Sequence, residues 1–284
     1  MTETAIPKAC VIGWPIKHSR SPMIHNYWLQ KYDIAGSYQK VAVRPEELAS
    51  FLQGLSDNGF KGCNVTIPHK EKVFEQVEVV DTVTKQIGAV NTVYFENNKQ
   101  YGLNTDGYGF SSNIKTQVPG WSTKDKNCVI LGAGGAARAI IAILLNEGAS
   151  KITLVNRTIT RAENLAREFG SRVEVVGFDD LQSCLPNADL LVNSSSLGMT
   201  GQPDFDISLA ALSSNCVVSD IVYDPLETQL LKQAKARGNR TVDGLGMLLH
   251  QAVPAFEKWF GLRPQVTPEL RALIVDDLLK DKSQ

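Results

Sequence analysis

The sequence has almost no net charge: 29 basic residues against 30 acidic ones leave −1 over 284 residues. A protein that tracks a polyanion or an anionic bilayer surface carries a surplus of lysine and arginine, so neither nucleic acid nor membrane is expected as a partner. No run of about 18 apolar residues is present to span a bilayer. The opening MTETAIPKACVIG has neither the basic start nor the long apolar core of a secretory signal, and the protein is expected in the cytoplasm. Cysteine is scarce. The five present, Cys10, Cys63, Cys128, Cys184 and Cys216, show no CxxC spacing, and four fall in runs that read as strands, so buried reduced thiols are expected. The four histidines, His18, His25, His69 and His250, make no HExxH and have no cysteine or carboxylate at ligand spacing, so no metal is expected. His69 reads as a loop or packing residue. Ser194 to Ser196 lack a GxSxG elbow, which argues against hydrolase chemistry. Internal repeats, low-complexity tracts and long like-charge blocks are missing too, and the KDK at residues 280–282 reads as a solvated helix end.

What is present is a chain of 43% hydrophobic residues, long enough for two domains with cores of their own. An apolar strand at Cys10 to Ile12 runs into GWPIKHSRSP, where Ser21 can cap and Pro22 can open a helix. Ser37 to Val43 reads as a strand. Leu48, Phe51, Leu52 and Leu55 then fall at helical spacing, with Gly59 as the stop. A third strand, Gly62 to Thr66, enters TIPHKE, where Pro68 sits at a prospective first helical turn, and Asp81 to Ile87 reads as a short helix. Val90 to Phe95 and Lys99 to Leu103, joined through Glu96, Asn97 and Asn98, form a predicted hairpin, which gives this first sheet an antiparallel edge. Beyond the loop from Gln117 to Lys126, strands near residues 128–131, 151–155, 173–176, 190–193 and 217–222 alternate with helices, as a doubly wound parallel sheet requires. The fold class is α/β: a mixed α/β domain over residues 1–106, a Rossmann-like parallel-sheet domain over 107–243, and helices in 244–284 that pack back on the first domain.

Cys128 to Arg138, CVILGAGGAAR, is the most informative stretch. A buried strand precedes the turn formed by Gly132, Ala133, Gly134 and Gly135, and Ala136 and Ala137 open a helix. Gly132 permits the tight turn, Gly134 lets backbone N–H groups approach a pyrophosphate, and the small alanines let helix pack close to strand. The alternative is a glycine turn that binds nothing. Asn156-Arg157-Thr158 stands where an NAD site places an acid for the ribose 2′-hydroxyl. Here Arg157, with Arg161 one turn on and Thr158 between them, suits a 2′-phosphate instead, unless both arginines are simply surface residues at a helix start. NADP is the preferred cofactor.

Several motifs in one order give the chain a resemblance to the shikimate dehydrogenases over nearly its whole length: GWPIKHSRSP, NVTIPHK, GAVNT, NTDG, GAGGAAR, NRT, NSSSLGM, DIVYDP and DGLGMLLHQA. In NSSSLGM the family commonly has threonine at the position of Ser195, so the hydroxyl is kept and a methyl lost. The resemblance implies reversible NADPH-dependent reduction of 3-dehydroshikimate to shikimate, in chorismate and aromatic amino-acid biosynthesis, with the substrate between the domains. By the same resemblance Ser19 and Ser21 take the substrate carboxylate, and Thr66, Asn91, Tyr223 and Gln251 hydrogen-bond its hydroxyls and carboxylate. Lys70 and Asp106 are the implied catalytic pair, with the Lys70 ammonium as the acid that protonates the developing alkoxide and Asp106 orienting it. Asn156, Arg157, Thr158 and Arg161 implicate the adenosine end of NADP, while Ile221 and backbone near Gly244 touch the nicotinamide end. A structural ion pair is the alternative for Lys70 and Asp106, and satisfied core polar groups the alternative for the others. Two rival functions remain at this level: a quinate/shikimate dehydrogenase using NAD or NADP, and a non-catalytic sensor of the same ligands. A monomer and a homodimer both fit the sequence.

Overall fold

The computed structural model describes residues 6–281, so the beginning of the leader reading and Lys282 of the KDK lie outside the described residues. The chain divides into two compact units, one from the residues up to Thr105 with those from Gln251 on, the other Asp106–His250.

The first unit carries β1 (Lys8–Gly13), α1 (Ser21–Lys31), β2 (Ser37–Ala42), α2 (Leu48–Gln53), β3 (Phe60–Val65), α3 (Lys70–Phe74), α4 (Thr82–Ile87), β4 (Thr92–Glu96) and β5 (Lys99–Leu103). Its sheet has the order β2-β1-β3-β4-β5, parallel among the first three strands and antiparallel from β3 onward. The β4–β5 turn is built by Asn97 and Asn98, both at positive φ, which matches the right-handed twist of the paired strands. Asp81 caps α4 by accepting from the Thr84 amide at 2.7 Å, and Gly88 closes it in the left-handed conformation.

Three local expectations change in this unit. Ser21 is the first residue of α1, not its cap: the cap position is Arg20, and the Ser19 hydroxyl accepts the Ser21 amide at 3.4 Å. Pro68 lies in a turn closed by the His69 amide on the Thr66 carbonyl, with a cis peptide before it, and the helix starts only at Lys70. The apolar series from Leu48 ends its helix at Gly54 rather than Gly59, yet Leu55 still points into the core.

The second unit carries α5 (Asp106–Gln117), β6 (Asn127–Leu131), α6 (Gly135–Asn146), β7 (Lys151–Val155), α7 (Ile159–Phe169), β8 (Val173–Val176), α8 (Leu181–Cys184), β9 (Leu190–Asn193), β10 (Val217–Asp220), α9 (Gln229–Ala236) and β11 (Arg240–Val242). Its six strands are all parallel in the order β11-β10-β9-β6-β7-β8, which is the doubly wound nucleotide-binding order with its switch point between β6 and β9. Helix α6 is buried nearly all round, with Ala139, Ile140, Ile141, Ala142 and Leu144 fully inaccessible, as its almost purely apolar sequence requires. Cys10, Cys63 and Cys128 are in strands and buried, and Cys216 is buried at the entry to β10. Cys184 departs from the expectation: it ends helix α8 and is only half-buried.

Helix α10 (Leu245–Phe260) begins in the second unit and continues in the first, where α11 (Pro268–Asp281) also belongs. The Trp259 indole donates to the Val93 carbonyl at 3.0 Å, and the Trp28 indole donates to the Gln265 carbonyl at 3.0 Å. His25, Trp28, Tyr38, Phe256 and Trp259 form one aromatic cluster, with the His25 ring stacked on Tyr38 at 4.1 Å. Helix α10 therefore completes the core of the first unit with large rings.

Candidate active site

In the first unit the loop after β1 and the start of α1 bring two hydroxyls together. Ser19 Oγ donates to Ser21 Oγ at 3.3 Å, and Arg20 between them is anchored on α11 through Asp277 at 2.9 Å. Two hydroxyls at the N-terminus of an 11-residue helix suit a carboxylate, because the first-turn amides have no acceptor within the helix. Ser21 is buried and Ser19 half-buried.

A chain of neutral polar groups continues inward. Tyr38 Oη donates to Asn64 Oδ1 at 2.6 Å, and Asn64 Nδ2 donates to the Asn91 carbonyl at 3.2 Å and to Thr92 Oγ1 at 3.1 Å. Asn91 Nδ2 donates to Thr105 Oγ1 at 2.9 Å, while the Thr105 amide donates back to Asn91 Oδ1 at 2.9 Å. The Thr105 hydroxyl reaches Gln251 Oε1 at 3.4 Å. Asn91 and Gln251, distant in sequence, are thus joined at one place. Tyr38, Asn64 and Thr105 are the members that sequence reading passes over. Asn64 and Thr105 sit inside motifs already singled out, but nothing in the sequence shows that their side chains turn inward.

Thr66 follows β3 and is half-buried, and its amide donates to the Ile12 carbonyl at 3.0 Å, which ties the NVTIPHK loop to the end of β1. Lys70 opens α3. Its carbonyl accepts the Val90 amide at 2.9 Å, so the residue is pinned to GAVNT, and the buried His69 beside it holds the Val43 carbonyl at 2.8 Å through Nε2. His69 is a packing residue here. Asp106, half-buried, is the first residue of α5 and belongs to the second unit.

In the second unit the glycine turn lies at the switch point. Gly132 has φ +106°, and its amide donates to the Val155 carbonyl at 2.8 Å; a Cβ there would stand 3.0 Å from Ser194 Oγ. Only glycine closes this turn without strain. At Gly135 an added Cβ meets nothing within 4 Å, and at Gly134 its nearest neighbour is Arg161 Nη2 at 4.0 Å. The space over the N-terminus of the 12-residue helix α6 is therefore clear of protein, with Ala133 and Ala136 beside it, and a side chain at Gly134 would fill what the phosphates need.

The turn opens on a cavity of about 750 Å³, lined also by Asn156, Arg157, Arg161 and Ser194 to Leu197. Arg157 and Arg161 are exposed, and neither is in an ion pair among the described residues. The Asn156 side chain donates to the Thr158 carbonyl at 2.9 Å and so shapes the entry into α7. These residues fit a dinucleotide bearing a 2′-phosphate: a helix N-terminus for the pyrophosphate, one guanidinium group just past the end of β7 and a second in the first turn of α7.

Past the end of β10, Ile221 and Tyr223 are half-buried in irregular chain; β10 stops at Asp220, two residues short of the predicted end. Gly244 packs against this segment so closely that a Cβ would lie 2.2 Å from the Ile221 carbonyl oxygen. Asp220 is fully buried and accepts from Asn193 Nδ2 at 3.0 Å, Thr228 Oγ1 at 2.7 Å and the Val222 amide at 3.0 Å. Burial pushes its carboxyl above the ordinary value, although the three donors pull the other way.

Comparison with known families agrees along the chain. Residues 11–93 match the shikimate dehydrogenase substrate binding domain, residues 113–200 match shikimate / quinate 5-dehydrogenase, and residues 244–273 match the shikimate 5'-dehydrogenase C-terminal domain. A shikimate dehydrogenase (NADP(+)) of Brucella melitensis is 51% identical over 276 residues, covering 96% of this chain and 95% of that protein. Among solved structures, shikimate 5-dehydrogenase of Thermus thermophilus, in complex with NADP(H) and shikimate, is 33% identical with a TM-score of 0.82 and covers 95% of this chain and 99% of its own. Quinate dehydrogenase of Corynebacterium glutamicum, in complex with NAD, is 31% identical with a TM-score of 0.85 over 95% and 99% of the two chains. On identity, coverage and motif order together, the chain belongs to the shikimate dehydrogenase family.

Proposed function

We propose that the protein is an NADP-dependent oxidoreductase that reduces 3-dehydroshikimate to shikimate, reversibly, in the pathway to chorismate and the aromatic amino acids, working in the cytoplasm as a monomer or homodimer. The observation that carries the cofactor choice is the Arg157 and Arg161 pair beside the glycine turn, where an NAD site would have an acid. The relatives' names give the substrate. Among the described residues no helix is long and apolar enough to cross a membrane.

The bound dinucleotide supplies the hydride. The residues of the chain do the rest. Ser19 and Ser21 donate to the substrate carboxylate and fix which end enters. Asn91 and Gln251, with Thr66 and Tyr223, hold the hydroxyls and carboxylate through neutral donors and acceptors, which match a small polyol acid. Lys70 protonates the oxygen that becomes the new hydroxyl, and Asp106 orients the ammonium. In the reverse direction the neutral amine must accept a proton.

Steady-state assays with shikimate and quinate, each with NADP and NAD, test this reading. The highest kcat/KM is expected for shikimate with NADP. Preference for quinate with NAD overturns it, and binding of shikimate and NADP without any absorbance change at 340 nm favours a sensor.

A further inference from the structure

The buried carboxylate of Asp220 belongs to none of the groups that meet substrate or phosphate, yet three separate segments converge on it. Asn193 at the end of β9, the Val222 amide just beyond β10, and Thr228, which caps α9 by accepting the Leu231 amide, all donate to it. Every one of these contacts asks for an acceptor, and a carboxylate is the side chain of this size that offers acceptors alone. Asn193 passes the constraint on. Its Oδ1 accepts from the Ser195 amide at 3.1 Å and the Ser195 hydroxyl at 2.7 Å, and its Nδ2 also reaches the Leu197 carbonyl at 3.1 Å. Ser195 and Leu197 line the cofactor cavity, and Ile221 lies between Asp220 and Val222.

The strand order says which half of the dinucleotide this concerns. A dinucleotide lies across the switch point with its pyrophosphate on α6, and Arg157 and Arg161 mark the β7 side as the adenosine side. The 194–197 loop lines the same cavity as those arginines, which leaves the segment after β10 for the nicotinamide half. We infer that Asp220 is a positioning residue that, through the Val222 amide, holds the 221–223 segment in the shape that receives the nicotinamide half of NADP. The inference rests on the NADP reading given above.

Asp220→Asn is nearly isosteric and turns one acceptor into a donor that faces donors. Titration calorimetry on the full chain compares two probes, NADP+ and 2′,5′-ADP, which keeps the phosphorylated adenosine half and lacks the nicotinamide. The expected result is at least a fivefold weaker Kd for NADP+ with the Kd for 2′,5′-ADP within twofold of wild type. Two results overturn the inference: NADP+ affinity unchanged, or both probes weakened equally, which is general loosening of the domain. If Asp220→Asn does not fold, Thr228→Val decides by the same pair of Kd values, with Thr228→Ser, which keeps the hydroxyl, expected to restore them. A wild type that binds neither probe refutes the NADP reading and this inference with it, whereas wild-type binding with an unselective variant refutes the inference alone.

Discussion

Tyr38 donates its phenolic proton to Asn64 Oδ1 at 2.6 Å, and both side chains are buried. Burial pushes the phenol well above its ordinary value, so it remains a donor at any working pH. Through Asn64 this bond supports the backbone carbonyl of Asn91, one of the residues proposed to hold substrate. Tyr38→Phe leaves the Asn64 oxygen without that donor and is expected to cost about 1–2 kcal/mol of stability. It should also raise the KM for shikimate severalfold with less change in kcat. Thermal melting and steady-state kinetics check both; an unchanged KM removes Tyr38 from the substrate-holding network.

Lys70→Ala should lower kcat by about 10²-fold or more while the KM for shikimate changes much less, because proton transfer is a transition-state contribution. Single-turnover absorbance at 340 nm measures it directly. An unaltered kcat would move the acid to another residue.

Arg157 and Arg161 are expected to set cofactor choice. The double replacement Arg157→Ala, Arg161→Ala should reduce kcat/KM for NADP by about 10²-fold, the order expected from losing two charge-assisted contacts of about 1.5 kcal/mol each, with little effect on NAD. Parallel assays with the two cofactors give the ratio, and an equal loss with both would make the arginines structural.

His25 makes stability depend on pH. Its ring is fully buried, neither nitrogen has a well-formed hydrogen bond among the described residues, and burial lowers its pKa from 6.5 to about 3, with the nearby Asn64 side chain opposing only in part. The folded form therefore keeps His25 neutral while the unfolded chain takes up a proton below pH 6.5. Its share of stability is whole above pH 6.5 and is lost as pH falls toward 3, at about 1.4 kcal/mol per unit. Relative to His25→Phe, which keeps an aromatic ring in the cluster, wild type should lose stability over that window; parallel urea midpoints from pH 7 to pH 4 would count against this assignment.

Gly244→Ala places a methyl group 2.2 Å from the Ile221 carbonyl oxygen. That backbone has no flexible end to yield, so the segment must shift, at a cost of about 1–3 kcal/mol. A lower melting temperature with a weaker Kd for NADP+ is the expected pair of results, and an Ala variant with wild-type melting and binding would show that the loop accommodates the methyl.

The nucleotide half was the more legible part. Gly132, Gly134, the alanines after them and the arginines that follow the next strand lie close together in sequence, and strand-turn-helix geometry carries local spacing directly into a candidate site. The substrate half was legible only through motifs. Ser19, Asn91 and Gln251 come from three distant segments, and no periodicity relates them. Cap and end positions were missed where one side chain competes with its neighbour, as when Ser19 rather than Ser21 takes the first amide of α1.

By itself the sequence determined that the second unit is a doubly wound sheet, because apolar strands alternating with helices leave a parallel arrangement, and that a glycine turn leads from its first strand into a helix N-terminus. Which buried polar groups face one another was decided by tertiary structure alone. Asp220 reads as an ordinary strand-end acid until β9, β10 and α9 are brought together around it, and Tyr38 reads as a strand residue until β3 supplies Asn64. Hydrogen bonds act over about 3 Å, and only the folded chain brings residues 27 or 160 positions apart to that distance.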